Sequence, residues 1–182
     1  MPPGDRTRPT SDRVREALFS AIAAWAGTAP EAAERSLAGM AFCDLYAGSG
    51  AVGLEAASRG AAPVLLVERD SRTAQLTRAN VEALDLDVEI ATASVEQMLR
   101  QRSAQSFDVV FADPPYELDT SAVSAQLEQL VLNHWVGAGS LIVVERSRRS
   151  LELVWPAAAT ERWSRAYGET ILYFGSLKPR EK

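Results

Sequence analysis

The sequence predicts an α/β protein: a doubly wound, mostly parallel seven-stranded sheet with an antiparallel hairpin at its C-terminal edge. Three observations carry this. Short apolar runs alternate with segments of helical period along most of the 182 residues, the pattern of a parallel sheet with right-handed crossovers. One run, Phe107–Ala112, is apolar enough for burial on both faces, as a central parallel strand requires. The last runs instead flank Gly168-Glu169 as two strands of a hairpin.

In chain order, residues 11–25 place Val14, Leu18, Phe19 and Ile22 on one helical stripe behind a Ser11 or Asp12 cap. Gly27 to Leu37 reads as a loop or short helix. Ala41–Tyr46 is the first strand, Ala47–Gly53 a glycine loop, and Leu54–Arg59 a helix stopped by Gly60. Val64–Val67 is the second strand and ends in Glu68. Ser71–Leu84 is a helix, with Ser71 as its cap and Ala74, Leu76 and Val81 turned partly inward. Val88–Ile90 is the third strand, Val95–Arg100 a helix, Phe107–Ala112 the fourth strand and Ser121–Asn133 a helix. Ser140–Glu145 is the fifth strand, and Glu161–Tyr167 with Thr170–Gly175 form the hairpin.

Two segments carry chemistry. The first is strand, glycine loop, helix, strand, acid. Glycines let a ligand approach the backbone, the helix that follows presents unpaired N–H groups, and Glu68, twenty residues after Gly48, can take both hydroxyls of a ribose. Gly48-x-Gly50-x-x-Gly53 also satisfies the dinucleotide fingerprint. Asp44, four residues before Gly48, argues otherwise: a carboxylate there repels a diphosphate and attracts an ammonium. S-adenosylmethionine offers an ammonium, a sulfonium and a ribose without a phosphate.

The second segment is Asp113-Pro114-Pro115-Tyr116 at the tip of the fourth strand. Proline fixes φ and removes a donor, giving a stiff loop that cannot extend the ladder. The Asp113 carboxylate and the Pro114 carbonyl can both accept from one exocyclic amine, and Tyr116 offers a flat face to a base.

These residues carry a family resemblance. The chain resembles class I S-adenosylmethionine-dependent methyltransferases that methylate amines, and more narrowly the RsmD family of bacterial 16S ribosomal RNA guanine-N2 methyltransferases. Arg8–Phe19 matches that family's N-terminal signature, Asp44–Gly50 its first cofactor motif, Glu68 its second, and Asp113–Tyr116 its catalytic motif; the similarity runs from Arg8 to about Leu177. The resemblance implies a Rossmann-like methyltransferase fold. It implies cofactor binding by Asp44, Ala47, Gly48, Ser49, Gly50, Glu68, Arg69, Ser94, Val95 and Asp113. Catalysis falls to Asp113, Pro114, Pro115 and Tyr116, and RNA contact to Arg8, Thr10, Arg13, Arg15 and Tyr116. Ser94 stands where an acid commonly reads the adenine amine; a hydroxyl accepts more weakly. Only Met1–Thr7 precede the signature, where the family usually has a longer basic, glycine-containing stretch.

Length and composition agree with one compact domain over 1–182; the resemblance makes it a methyltransferase domain, with residues 1–37 a basic segment and helix and 38–182 the cofactor-binding and catalytic core. The single cysteine, Cys43, excludes an internal disulfide and reads as core; His134, the one histidine, reads as a helix-end residue, and no Cys/His cluster calls for a metal. The four tryptophans read as core. No apolar stretch approaches the roughly 20 residues of a membrane helix, and no signal peptide is evident, so a cytoplasmic monomer is expected. The net charge of −5 is unusual for a free-standing RNA binder, although arginines gather near the start and at Arg146, Arg148 and Arg149. The expected partner is therefore ribosomal RNA within a 30S subunit or its precursor. An adenine-N6 methyltransferase acting on DNA or RNA uses the same catalytic loop and remains the alternative, with a dinucleotide-binding oxidoreductase or non-catalytic module behind it.

Overall fold

Helix α1 (Asp12–Ala26) starts where the Ser11 side chain accepts the Val14 N–H, and its stripe Val14, Leu18, Phe19 and Ile22 is buried as the spacing predicts. The computed structural model describes residues 11–178. The elements that follow are a 3₁₀ turn (Ala33–Arg35), β1 (Phe42–Asp44), α2 (Ala51–Ser58), β2 (Val64–Glu68), α3 (Ser71–Ala83), β3 (Val88–Thr92) and α4 (Val95–Leu99). Next come β4 (Phe107–Ala112), α5 (Thr120–Leu132), β5 (Val136–Ser147), β6 (Ala159–Tyr167) and β7 (Thr170–Leu177).

The sheet has seven strands in the order β3-β2-β1-β4-β5-β7-β6. β1 to β5 run parallel to one another, and β7 runs antiparallel to both β5 and β6. This is the mixed sheet of the class I methyltransferase fold. β1 lies between β2 and β4, with Asp44 level with Leu66 and Phe111. The order reverses direction here, so the ends of β1, β2 and β4 flank a crevice.

Each face of the sheet carries its own apolar layer. Cys43, Leu65, Val110 and Ile142 pack with Val123, Leu127 and Leu130 of α5. Phe42, Leu66, Val109 and Val143 pack with Leu18, Phe19 and Ile22 of α1 and with Val52 and Ala56 of α2. Burying one such large side chain is worth about 1.5–3 kcal/mol, so the two layers dominate the stability. Cys43 is fully buried, and desolvation pushes its thiol up. The tryptophans also pack: Trp135 stacks on Phe107 at 6.0 Å and Trp163 on Phe174 at 5.0 Å, while Trp25 Nε1 donates to Ser176 Oγ at 3.2 Å.

Several expectations shift. Asp70, not Ser71, caps α3: its carboxylate accepts the Thr73 N–H at 2.7 Å, and an aspartate one residue earlier outcompetes the serine hydroxyl. Leu76 on α3 is 64% exposed rather than inward. β5 begins at Val136, not Ser140, because Ser140 Oγ takes the Gly137 N–H and donates to Phe107 O, holding the irregular start of the strand in the sheet. His134 is exposed, just past α5, at φ 59°.

The glycine loop is shorter than its sequence pattern. α2 begins at Ala51, so Gly53 lies inside the helix, where a Cβ would stand 2.0 Å from Leu66 Cδ2 in β2. The third glycine therefore sets helix–sheet contact rather than ligand access. Gly53→Ala is expected to destabilise the protein by about 1–3 kcal/mol through overpacking, read as a lower urea midpoint with unchanged slope.

Candidate active site

Past the ends of β1, β2 and β4, and at the turn after β3, lies a cleft of about 510 Å³. Its floor is the glycine loop. Ala47 N–H donates to Val67 O at 3.0 Å, tying the loop to β2, and Gly50 N–H closes the turn on Ala47 O at 2.7 Å. Gly50 sits at φ +81° with a would-be Cβ 2.7 Å from Thr77 Cγ2, so conformation and space both demand glycine. Thr77, buried on α3, donates to Gly48 O at 3.1 Å and braces the loop from below.

Glu68, at the end of β2, is fixed through both oxygens. Oε2 accepts the Gly48 N–H at 2.9 Å and Oε1 the Asp70 N–H at 2.7 Å. Each oxygen keeps a further lone pair, and the side chain lines the cleft. That is an acceptor pair suited to a vicinal diol. Asp44 is 1% exposed and also lines the cleft. Burial raises its carboxyl to about 7, offset in part by the backbone N–H groups of Gly53 and Tyr46 and reinforced by the nearby Glu68 charge. Its Oδ1 is buried without a hydrogen-bond partner.

The opposite wall comes from the end of β4. Asp113 and Pro115 line the cleft, Pro114 is buried, and Tyr116 stands 63% exposed at the rim. Leu118 N–H donates to Pro115 O at 3.0 Å, closing the turn that carries the tyrosine. The glycine bend and the proline turn thus face one cleft, although more than sixty residues separate Gly48 from Asp113.

Ala47, Ser49, Arg69, Ser94 and Val95 also line this cleft. Ser94 has a second duty that the sequence reading missed. It caps α4, its Oγ accepting from the Gln97 N–H while Gln97 returns an acceptor to the Ser94 N–H. The spacing Ser94-x-x-Gln97 carried that capping-box signal.

The arginines expected to touch RNA are divided. Arg8 and Thr10 lie outside the described residues. Arg13 is exposed on α1. Arg15 is absent from the cleft wall: its Nε pairs with Glu55 of α2 at 2.7 Å, and Nη2 with Asp12 at 2.8 Å. Glu55 holds Arg59 as well, at 2.7 Å. Arg146, grouped by sequence with the solvated Arg148 and Arg149, is only 6% exposed and lies within β5. Tyr46 was also missed; it lines the cleft and donates to Gln126 Oε1 on α5 at 2.7 Å, across a sequence gap that no local pattern signals.

The wall chemistry tests the ligand. Asp44, Glu68, Asp70, Glu96 and Asp113 bring carboxylates to the cleft against one lining arginine, Arg69. A pyrophosphate is disfavoured there, while a ligand with ammonium and sulfonium charges is favoured. The unpartnered Asp44 Oδ1 asks for a donor, and Glu68 asks for hydroxyls. The residues present fit S-adenosylmethionine. Among the described residues, no group of three or more His, Cys, Asp or Glu side chains could hold a metal ion, and no helix is long and apolar enough to cross a membrane.

Comparison with known proteins agrees. The family described as Conserved hypothetical protein 95 matches residues 1–176. Ribosomal RNA small subunit methyltransferase D of Haemophilus influenzae is 31% identical over 161 residues, which is 86% of this chain and 74% of the relative. Among solved structures, the Escherichia coli protein yhhF superposes with a TM-score of 0.79 at 26% identity, covering 96% of this chain and 90% of its own. The Thermus thermophilus 16S rRNA N2 G1207 methyltransferase, solved with AdoMet and guanosine, gives 0.68 at 17% identity, covering 97% of this chain and 45% of its own. At that identity the likeness speaks for the fold alone.

The Asp44 carboxyl gives a signed test in the ligand-free protein. A carboxyl raised on folding keeps its proton where the unfolded chain has lost it. Stability therefore falls as pH climbs from about 4 to about 7 and flattens above. Asp44→Asn removes that contribution. The stability difference between variant and parent should shift in the variant's favour across this window, measured by urea unfolding at stepped pH.

Proposed function

This chain belongs to the Conserved hypothetical protein 95 family, which includes ribosomal RNA small subunit methyltransferase D, and we propose that it transfers a methyl group from S-adenosylmethionine to the exocyclic N2 amine of a guanine in small-subunit ribosomal RNA. The observation that carries this reading is the meeting of Glu68, the glycine loop and the Asp113–Pro115 turn in one acid-lined cleft.

When bound, S-adenosylmethionine supplies an electrophilic methyl on a sulfonium centre. On this reading Asp44 accepts from the cofactor's ammonium and Glu68 from its ribose hydroxyls. The glycine loop gives close backbone approach. The base amine is a weak nucleophile because its lone pair is delocalised into the ring. Hydrogen bonds from that amine to the Asp113 carboxylate and the Pro114 carbonyl favour a pyramidal nitrogen. Tyr116, exposed at the rim, is free to stack on the base and align it. Rate enhancement then rests on orientation and on acceptors fixed in advance. The proton leaving the amine passes to Asp113 or to solvent. A base within a helix does not reach such a cleft, so the target nucleotide must be unstacked.

The substrate we favour is RNA already shaped in a 30S particle or its precursor. The net charge of −5 supports this, since an acidic chain gains little from phosphate neutralisation alone. Adenine-N6 transfer needs the same catalytic turn, and product analysis separates the two.

Tritiated methyl transfer to small subunits from cells lacking this protein, followed by nucleoside digestion, should place label in N2-methylguanosine; label in N6-methyladenosine would instead establish the adenine reading. Asp113→Ala should lower turnover on the order of 100-fold or more, while calorimetry finds cofactor affinity nearly intact. Undiminished methylation by that variant would refute the assignment of the turn.

A further inference from the structure

Arg146 is a charged side chain placed where a structural arginine is hard to justify. It lies on β5, two residues beyond the last β4–β5 pair, Ala112↔Val144, and so beside the point where the Asp113–Tyr116 turn leaves β4. Nη2 donates to Leu118 O at 3.1 Å and stands 3.4 Å from Thr120 Oγ1 at the start of α5. Leu118 lines the cleft, and its own N–H closes the turn on Pro115 O. The guanidinium therefore grips the far end of the catalytic turn, and its charge interacts with Asp113 at the near end.

We propose that Arg146 is a positioning residue for methyl transfer, holding the Asp113–Leu118 turn so that the Asp113 carboxylate and Pro114 carbonyl converge on one amine. The inference rests on the methyl-transfer reading above. Three features support it. First, a guanidinium that is 6% exposed requires a counter-charge. Burial works against its proton, and Asp113 is the leading group that works for it. A nearby cation favours the ionised, hydrogen-bond-accepting form of that carboxylate.

Second, the surrounding network is incomplete in a way that pure packing would not favour. Arg146 Nε and Gln126 Nε2 are buried donors without hydrogen-bond partners. Buried unsatisfied groups destabilise a fold and recur where function requires them. Third, the neighbouring Tyr46–Gln126 bond ties the cleft's glycine-loop side to α5. Arg146 ties the catalytic turn to that same helix at Thr120. Both sides of the cleft are thus referenced to α5.

The test separates positioning from support. Arg146→Met removes the charge and the unsatisfied donor while filling similar volume. The variant should stay folded with a lower urea midpoint, since Leu118 O loses its donor and Asp113 its counter-charge, and S-adenosylmethionine affinity by calorimetry should be unchanged. Single-turnover methyl transfer at saturating RNA should fall on the order of 10- to 100-fold. Arg146→Lys, which keeps the charge and loses the planar fork, should fall between the two. A Met variant that keeps parental turnover overturns the assignment, as does a folded one whose S-adenosylmethionine affinity falls in step with its turnover. Failure of the parent protein itself to methylate small-subunit RNA would instead overturn the functional reading on which this one rests.

Discussion

The Glu68 carboxylate is the constraint on which the cleft depends. It holds Gly48 N–H with one oxygen and Asp70 N–H with the other. The first contact pins the glycine loop against the end of β2, and the second pins the turn into α3. α3 in turn sends Thr77 back to Gly48 O. The loop is therefore held from the strand side and from the helix side by groups that meet only because β1 and β2 are adjacent and parallel. A ligand that donates to Glu68 meets an acceptor already held in place, so little ordering has to accompany binding.

Charge gives the cleft its selectivity. Burial lifts the Asp44 carboxyl, and the nearby Glu68 charge lifts it further. A cation entering between them relieves that repulsion. The glycine fingerprint, which in dinucleotide-binding proteins cradles a pyrophosphate, therefore sits in an electrostatic setting that disfavours one. The carboxylates around the glycine loop, rather than the glycines themselves, set which ligand it favours.

Much of this was legible in the sequence, and the limits have physical causes. Strand and helix order followed from the alternation of apolar runs with helical stripes. The cleft followed from the rule that parallel strands bind at their carboxyl ends, which brought Asp44, Glu68 and Asp113 together across nearly seventy residues. Local capping was less legible: Asp70 displaced Ser71, and Ser94 proved to be a cap as well as a wall residue. Arg146 was misplaced for a different reason. Composition ranks it with Arg148 and Arg149, but β5 is covered on both faces, so residues 140–146 are all buried while 148 and 149 lie beyond the strand. Tyr46 with Gln126, and Arg15 with Glu55, are tertiary pairs eighty and forty residues apart. No period or motif encodes them.

An acid-lined cleft also resolves the tension between an acidic protein and a polyanionic substrate. Phosphates are repelled by Asp44, Glu68, Asp70 and Asp113, whereas a nucleobase is neutral and carries its amine as a donor. On the proposed reading the cleft admits the one part of a nucleotide that bears no charge and turns the backbone away to the rim. Tyr116, exposed beside the entrance, then meets the base before the carboxylates do. The cleft contributes little affinity for RNA as such and much discrimination for an extruded amine. On the same reading, affinity comes from elsewhere on the substrate, as the proposed RNA already folded with its proteins would provide.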